Sequence, residues 1–236
     1  MNWLTRLLRR APALDAESIA TLEAYRSLEK PDPRGPFAGQ RMVVVDVETS
    51  GLDPHRDRLI SIGAVTMSRK LVRFDESFEV VLQQSLPSGR ENILVHGIGG
   101  SDQLAGREPA AGLLDFLLFA GKAPLVGFHA DFVRIVIERA TLSLLGIKPD
   151  NIWLDLALLL PIFYPRHAGA ARTLDDWAGA FGIDNYARHD ATADALATAQ
   201  LLLVLLAEAE QRGAGSCADL SRLQKGRFLL AQGQRR

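Results

Sequence analysis

The chain has 236 residues, 47% of them hydrophobic, and its 27 Lys and Arg nearly balance 28 Asp and Glu for a formal net charge of −1. That suits one α/β domain with short extensions and excludes a disordered acidic chain. It also leaves no general basic surface for nucleic acid, so any such contact rests on local basic residues.

Cys217 is the only cysteine, which excludes an internal disulfide or a cysteine-based zinc site and fits a reducing cytoplasm. Residues 1–40 read as a helical extension with a Pro-rich linker. Trp3, Leu4, Leu7 and Leu8 recur at helical spacing among Arg6, Arg9 and Arg10, a docking segment without the long apolar run of a secretory signal. A helix is predicted over about 15–30, and Pro31-Asp32-Pro33-Arg34-Gly35-Pro36 ends it. The core domain, 41–212, opens with residues 42–47, an apolar β-branched run suited to a strand buried on both faces. Strands over 58–67 and 71–83, joined at Ser68-Arg69-Lys70, complete an antiparallel meander. Then come a helix at 109–120, a strand at 124–128, a helix at 131–145 and a strand at 152–155 running into a helix at 156–163. A short helix at 173–181 and a long one at 191–212 follow. The order predicts one mixed sheet flanked by helices. Residues 213–236 read as a helical tail with Lys225, Arg227, Arg235 and Arg236 at its basic end. The longest apolar stretches, 156–163 and 201–207, are too short to span a membrane.

Asp46 and Glu48 are the sharpest chemical signal. Side chains two apart on a strand face the same way, roughly 6.5 Å apart along the backbone. Two carboxylates at the end of an apolar strand are costly unless a cation compensates them, and magnesium or manganese prefers such oxygen ligands. The second signal is His189-Asp190-Ala191-Thr192-Ala193-Asp194. Asp190 is a natural N-cap, which puts His189 in the preceding loop and Asp194 just past the first turn. Asp194 shares its helical stripe with Ala197, Thr198, Leu201 and Leu205, has no cationic neighbour in it, and so asks for a metal partner. His189, an imidazole in the loop before this helix, suits a general base acting on water.

Together these residues resemble the DEDDh 3′–5′ exonuclease family, especially the proofreading (epsilon) subunit of bacterial DNA polymerase III. Asp46-Val47-Glu48-Thr49, continued by Gly51-Leu52, is similar to the first family motif, and His189 with Asp194 to the third. Val95-His96-Gly97-Ile98 resembles the loop beside the bound nucleotide. Phe128-His129-Ala130-Asp131-Phe132-Val133 resembles the second motif but carries Val133 where the family has a metal-associated aspartate. Asp131, two residues earlier and some 200° round a helix, is the uncertain substitute, and it also suits the helix dipole.

The resemblance implies an RNase H-like fold and two Mg2+ or Mn2+ ions on Asp46, Glu48 and Asp194. It further implies His189 as general base, nucleoside 5′-monophosphate products, and contacts to the terminal nucleotides from Thr49, Leu52, His96 and Phe128. Single-stranded DNA or RNA 3′ ends are the implied partners, with a polymerase or other protein as a further partner through the N-terminal extension. Because of Val133, a weakly active or inactive module that binds 3′ ends or a partner protein is the competing reading. A short-RNA exoribonuclease is another, since no feature reads the 2′-hydroxyl.

Overall fold

The structure is a computed structural model that describes residues 14–233. The N-terminal amphipathic segment around Trp3–Leu8, and Arg235 and Arg236 at the other end, lie outside those residues.

The apolar run after the linker forms β1 (Arg41–Thr49), which pairs antiparallel with β2 (Leu59–Ser68), itself antiparallel to β3 (Leu71–Val81). On its other side β1 pairs parallel with β4 (Leu125–Gly127), and β4 with β5 (Trp153–Asp155), so the sheet order is β3-β2-β1-β4-β5. β1 therefore has a strand on each side and is covered above and below. Met42 and Val44 join an apolar cluster with Leu154, Leu160, Trp177, Leu201 and Leu205. Val43, Val45 and Val47 join a second cluster, with Leu113, Phe116, Val136 and Ile137. The strand alternation sends its two sets of residues into two separate cores, so the sheet has helices on both faces, as expected.

The covering helices are α1 (Ala16–Ser27), α2 (Arg90–His96), α3 (Gly100–Ala105), α4 (Pro109–Ala120), α5 (Ala130–Leu145), α6 (Leu156–Phe163), α7 (Leu174–Ala180), α8 (Ala191–Gln211) and α9 (Cys217–Gly233). α2 and α3 were not foreseen. Both are short, and glycines at their N-caps (Gly89, Gly99) give no side-chain capping signal. Among the described residues α8 is the one helix long and apolar enough to cross a membrane. Its Ala195, Leu201, Leu202, Leu205 and Leu206 are fully buried against the protein interior.

Both ends of the described chain dock on the domain. Leu22 and Tyr25 of α1 are buried in the second cluster, Lys122 lies over the Tyr25 ring at 3.8 Å, and Lys30 pairs with Asp150 at 2.7 Å. Phe37, just past the proline-rich stretch, is fully buried in the first cluster, and Pro36 bridges to Ser216. At the far sheet edge, the Gln224 amide of α9 donates to Trp153 O (2.9 Å) and accepts from Asp155 N (3.0 Å). One side chain thus stands in for a missing neighbour strand and closes the edge.

Candidate active site

The site lies where β1 ends. Asp46 and Glu48 project from the face that also carries Val44, towards α8, and the β1–β2 register shifts between Glu48 and Thr49. A glycine decides how close α8 comes. Gly63 is the β2 partner of Asp46, and a Cβ there would lie 2.2 Å from Thr192 N and 2.3 Å from Ala191 C. The first turn of α8 therefore rests directly on the sheet backbone, a close approach only glycine permits. Asp190 caps that turn, accepting from Ala193 N at 2.8 Å. Asp194, one turn in and 4% exposed, is delivered to the two strand carboxylates.

His189 sits in the turn before the helix with φ +63°, a left-handed conformation unusual for a non-glycine residue. Glu48, His189 and Asp194 each offer a ligand atom, and these atoms lie within 4.8 Å of one another. Burial, with Asp194 beside it, raises the Asp46 carboxyl to about 7, although Val47 N–H and Arg188 work the other way. Glu48 is raised to about 8, by burial first and then by Asp46, Asp194 and Asp190. Like charges converging in a half-dry pocket hold on to protons unless a cation replaces them. The residues therefore fit a divalent ion: hard oxygen donors, clustered at ligand spacing, with excess negative charge.

One cation is already present. Arg188 Nη1 donates to Asp194 Oδ2 at 2.9 Å while its Nε donates to Asp175 Oδ2 at 2.6 Å. His189 N–H also reaches Asp194 Oδ2 (3.3 Å), and the Asn185 amide donates to Oδ1. Along its own helical stripe Asp194 has no cationic neighbour; these three partners come instead from the loop before the helix. The charged pair Arg188 and Asp194 flanking the histidine was the available signal.

Val133 is 2% exposed within the cluster that contains Val43, Val45 and Val47, the sheet face opposite Asp46 and Glu48. Asp131 has a 63% exposed side chain, pairs with Arg134 at 3.0 Å, and lines a cavity of about 350 Å3 with Trp153, Asp155 and Leu158. It is not brought to the carboxylate cluster. His96 is buried: its Nδ1 accepts from Ile98 N (2.9 Å) and its Nε2 faces Asn92 Oδ1 (2.9 Å), while Asn92 donates to Thr49 O. This network ties α2 to the end of β1. Burial, together with the charge of His189, lowers the His96 pKa. Thr49 Oγ1 is turned back to Gly51 O (2.6 Å), and Phe128 is buried in the core with its ring edge-on to His129. Leu52 is 92% exposed on a loop organised by Asp57, which accepts from Ser50 Oγ and Asp53 N. A Cβ at Gly51 would lie 2.6 Å from the Asp57 carboxylate, so a larger residue there would displace that side chain from the loop.

The RNase_T exonuclease family model matches residues 43–202, from β1 to the middle of α8. The chain belongs to this exonuclease family. Among its relatives, a DNA polymerase III subunit epsilon-like protein of Rhodobacter capsulatus is 32% identical over 176 residues, covering 72% of this chain and 24% of that protein. The PolC-type DNA polymerase III of Caldanaerobacter subterraneus is 30% identical over 88% of this chain and 14% of its own length. This chain thus spans a quarter or less of those two relatives. The DNA polymerase III epsilon subunit of Rickettsia typhi is 29% identical, with 70% of this chain and 73% of the relative covered. In fold, the chain is similar to E. coli exonuclease I in complex with a dT13 oligonucleotide (TM-score 0.61, 20% identity, 73% of this chain and 42% of that one). The mixed RNase H-like sheet of these exonucleases is the sheet described above.

Proposed function

We propose that this exonuclease-family chain is a divalent-metal-dependent 3′–5′ exonuclease that removes nucleoside 5′-monophosphates from single-stranded DNA or RNA ends. The observation that carries this reading is the convergence of Glu48, His189 and Asp194 at ligand spacing, from a strand end and a helix start, with Asp46 beside them on the same strand face. Asp46, Glu48 and Asp194 would hold Mg2+ or Mn2+, which when bound supplies positive charge at the scissile phosphate and acidifies water. The protein contributes the rest. The α8 first turn, seated on Gly63, fixes the carboxylates relative to one another. His189, held by its left-handed turn, accepts the proton of the attacking water at a ring nitrogen. Leu52, exposed on the ordered loop after β1, presents an apolar face to a terminal base, and His96 orients the loop end through Asn92 rather than reaching out itself. The resemblance to epsilon subunits supports a polymerase as partner.

The test is end-labelled single-stranded DNA and RNA incubated with Mg2+ or Mn2+, with products sized over time. Mononucleotides released from the 3′ end by the wild type, and not by Asp46→Asn or Glu48→Gln, are expected. Binding of 3′ ends without cleavage would favour the alternative of a binding module, for which the apolar setting of Val133 speaks. Cleavage of RNA alone would make it a short-RNA exoribonuclease.

A further inference from the structure

The strand that carries the site carboxylates loses its regular pairing at the last of them. β1 and β2 change register between Glu48 and Thr49, so the ladder alone does not fix the direction of the chain after Glu48. The Asn92 side chain of α2 reaches this point, its Nδ2 donating to Thr49 O at 2.9 Å. Thr49 follows Glu48 directly, so this bond acts one residue beyond a carboxylate of the site.

An amide can face either way, and here an imidazole decides. His96 lies four positions after Asn92, on the same side of α2. Ile98 N–H donates to His96 Nδ1 at 2.9 Å, so in the neutral ring the proton sits on Nε2. That N–H lies 2.9 Å from the Asn92 amide, and only the amide oxygen can accept it. The amide nitrogen is thereby left for Thr49. Burial lowers the His96 pKa, which favours this neutral form of the ring.

The ring is held from behind as well. Ser88 Oγ lies 3.3 Å from His96 Nε2 and accepts from Gln103 Nε2 at 3.0 Å. Gln103, fully buried on α3, also donates to Ile98 O and accepts from Ser88 N. The bonds therefore run in one direction, from Ile98 N–H through His96 and Asn92 to Thr49 C=O. A buried network of fixed polarity holds one arrangement.

We infer that Asn92 is a positioning residue for Glu48: with its amide set by the His96 tautomer, it fixes the strand end from which Glu48 joins the carboxylate cluster. The inference rests on the metal-dependent nuclease reading and adds to it a residue on α2 that acts through the β1 backbone.

The experiment compares the full-length wild type with Asn92→Leu, which keeps the size and removes both polar atoms, and with His96→Phe, which keeps the ring shape. The double variant and Asn92→Gln complete the set. Calorimetry gives the Mn2+ affinity, and cleavage of 5′-labelled oligo(dT) in saturating Mn2+ gives kcat and KM. Each of the two single variants is expected to weaken Mn2+ binding several-fold and to lower kcat about ten-fold, as a small misplacement does, with KM changed less than about two-fold. The double variant should be no worse than either, because both substitutions remove the same relay. Asn92→Gln, which retains the amide, should recover part of the loss. Nitrogen-15 spectra of the metal-free wild type at pH 7.5 should show His96 neutral and protonated on Nε2. A packing role alone would lower the melting temperature and leave the Mn2+ affinity and kcat of the folded variants unchanged, and that result overturns the assignment. So do additive losses in the double variant, a proton on His96 Nδ1, or a rise in KM alone in His96→Phe, the mark of a direct nucleotide contact. If His96→Phe does not fold, Asn92→Leu against Asn92→Gln and the wild-type tautomer still decide the matter. A wild type that binds no Mn2+ and cleaves nothing overturns the nuclease reading, and this inference with it; the differences among variants bear on Asn92 alone.

Discussion

Replacing Asp46 by Asn should stabilise the metal-free protein at alkaline pH and cost it all activity. In the fold the Asp46 carboxyl is raised from 3.8 to about 7. Its folded pKa therefore lies above its unfolded value, and the folded state binds the extra proton between those limits. Stability of the metal-free wild type falls as pH rises from about 4 to about 7, and the loss is complete above that. At 1.36 kcal/mol per pKa unit the full loss is about 4 kcal/mol, and water at the open edge of the site reduces it to about 2–4 kcal/mol. Asn keeps the shape and can still accept from Val47 N–H, but carries no charge. Asp46 is also the second-largest cause raising Glu48, so its neutralisation relieves that group as well. For a chain of this size, the expected gain at pH 8 in EDTA is roughly 5–15 °C in melting temperature. By the same arithmetic it shrinks to roughly a third at pH 5 and disappears below about pH 4. Saturating Mn2+ should reverse the order, because it stabilises only the protein that binds it. Thermal melts of both proteins across pH 5–9, in EDTA and in Mn2+, measure all of this. Equal melting temperatures at pH 8 in EDTA, or a gain that does not change with pH, would refute the burial argument.

Gly63→Ala should push the first turn of α8 off the sheet by about 1 Å, given the 2.2 Å approach of Thr192 N. Titration should then show Mn2+ affinity at least ten-fold weaker, and single-turnover rates should fall on the order of 10²-fold, as for other misplaced catalytic groups; unchanged affinity would mean the helix seat does not set the site. His189→Ala should lower turnover by roughly 10²–10⁴-fold with Mn2+ affinity retained, and loss of Mn2+ binding instead would make His189 a ligand. Val133→Asp should lower the melting temperature and recover little of it in Mn2+, since it places a carboxylate in the core with Val47, Val136 and Ile137. Full rescue by Mn2+ would show that the position reaches the metal after all. Removing the chain through residue 36 exposes the core around Leu22 and Tyr25, worth about 3–6 kcal/mol together, and should cost on the order of 10 °C. A melting temperature unchanged by that truncation would show that α1 adds nothing to the domain.

The sequence by itself determined what depends on local spacing. A β-branched run flanked by turn residues is a strand wherever it lies, and alternation alone puts Asp46 and Glu48 on one face. Asp190 before an Ala- and Leu-rich run is a helix cap on its own terms, so the start of α8, and with it the position of Asp194 one turn in, was legible without a fold. Two successive strands across the Ser68-Arg69-Lys70 turn fixed the antiparallel half of the sheet in the same way; Arg69 and Lys70 both take positive φ there. The short helices α2 and α3 escaped because glycine caps leave no local signal. What only the tertiary structure decided depends on residues distant in sequence meeting in space. Nothing near Gly63 announces that a helix start 128 positions later lies on it. The stripe of Asp194 carries no sign that its cation comes from Arg188 in the preceding loop, braced by Asp175 on another helix. The proline run reads as a linker, yet Phe37 beyond it is fully buried and α1 before it docks on α4, because the apolar surfaces that capture them belong to elements assembled from elsewhere in the chain. Patterning with a period of two or 3.6 reports which way a side chain points. Which partner waits there is set by packing.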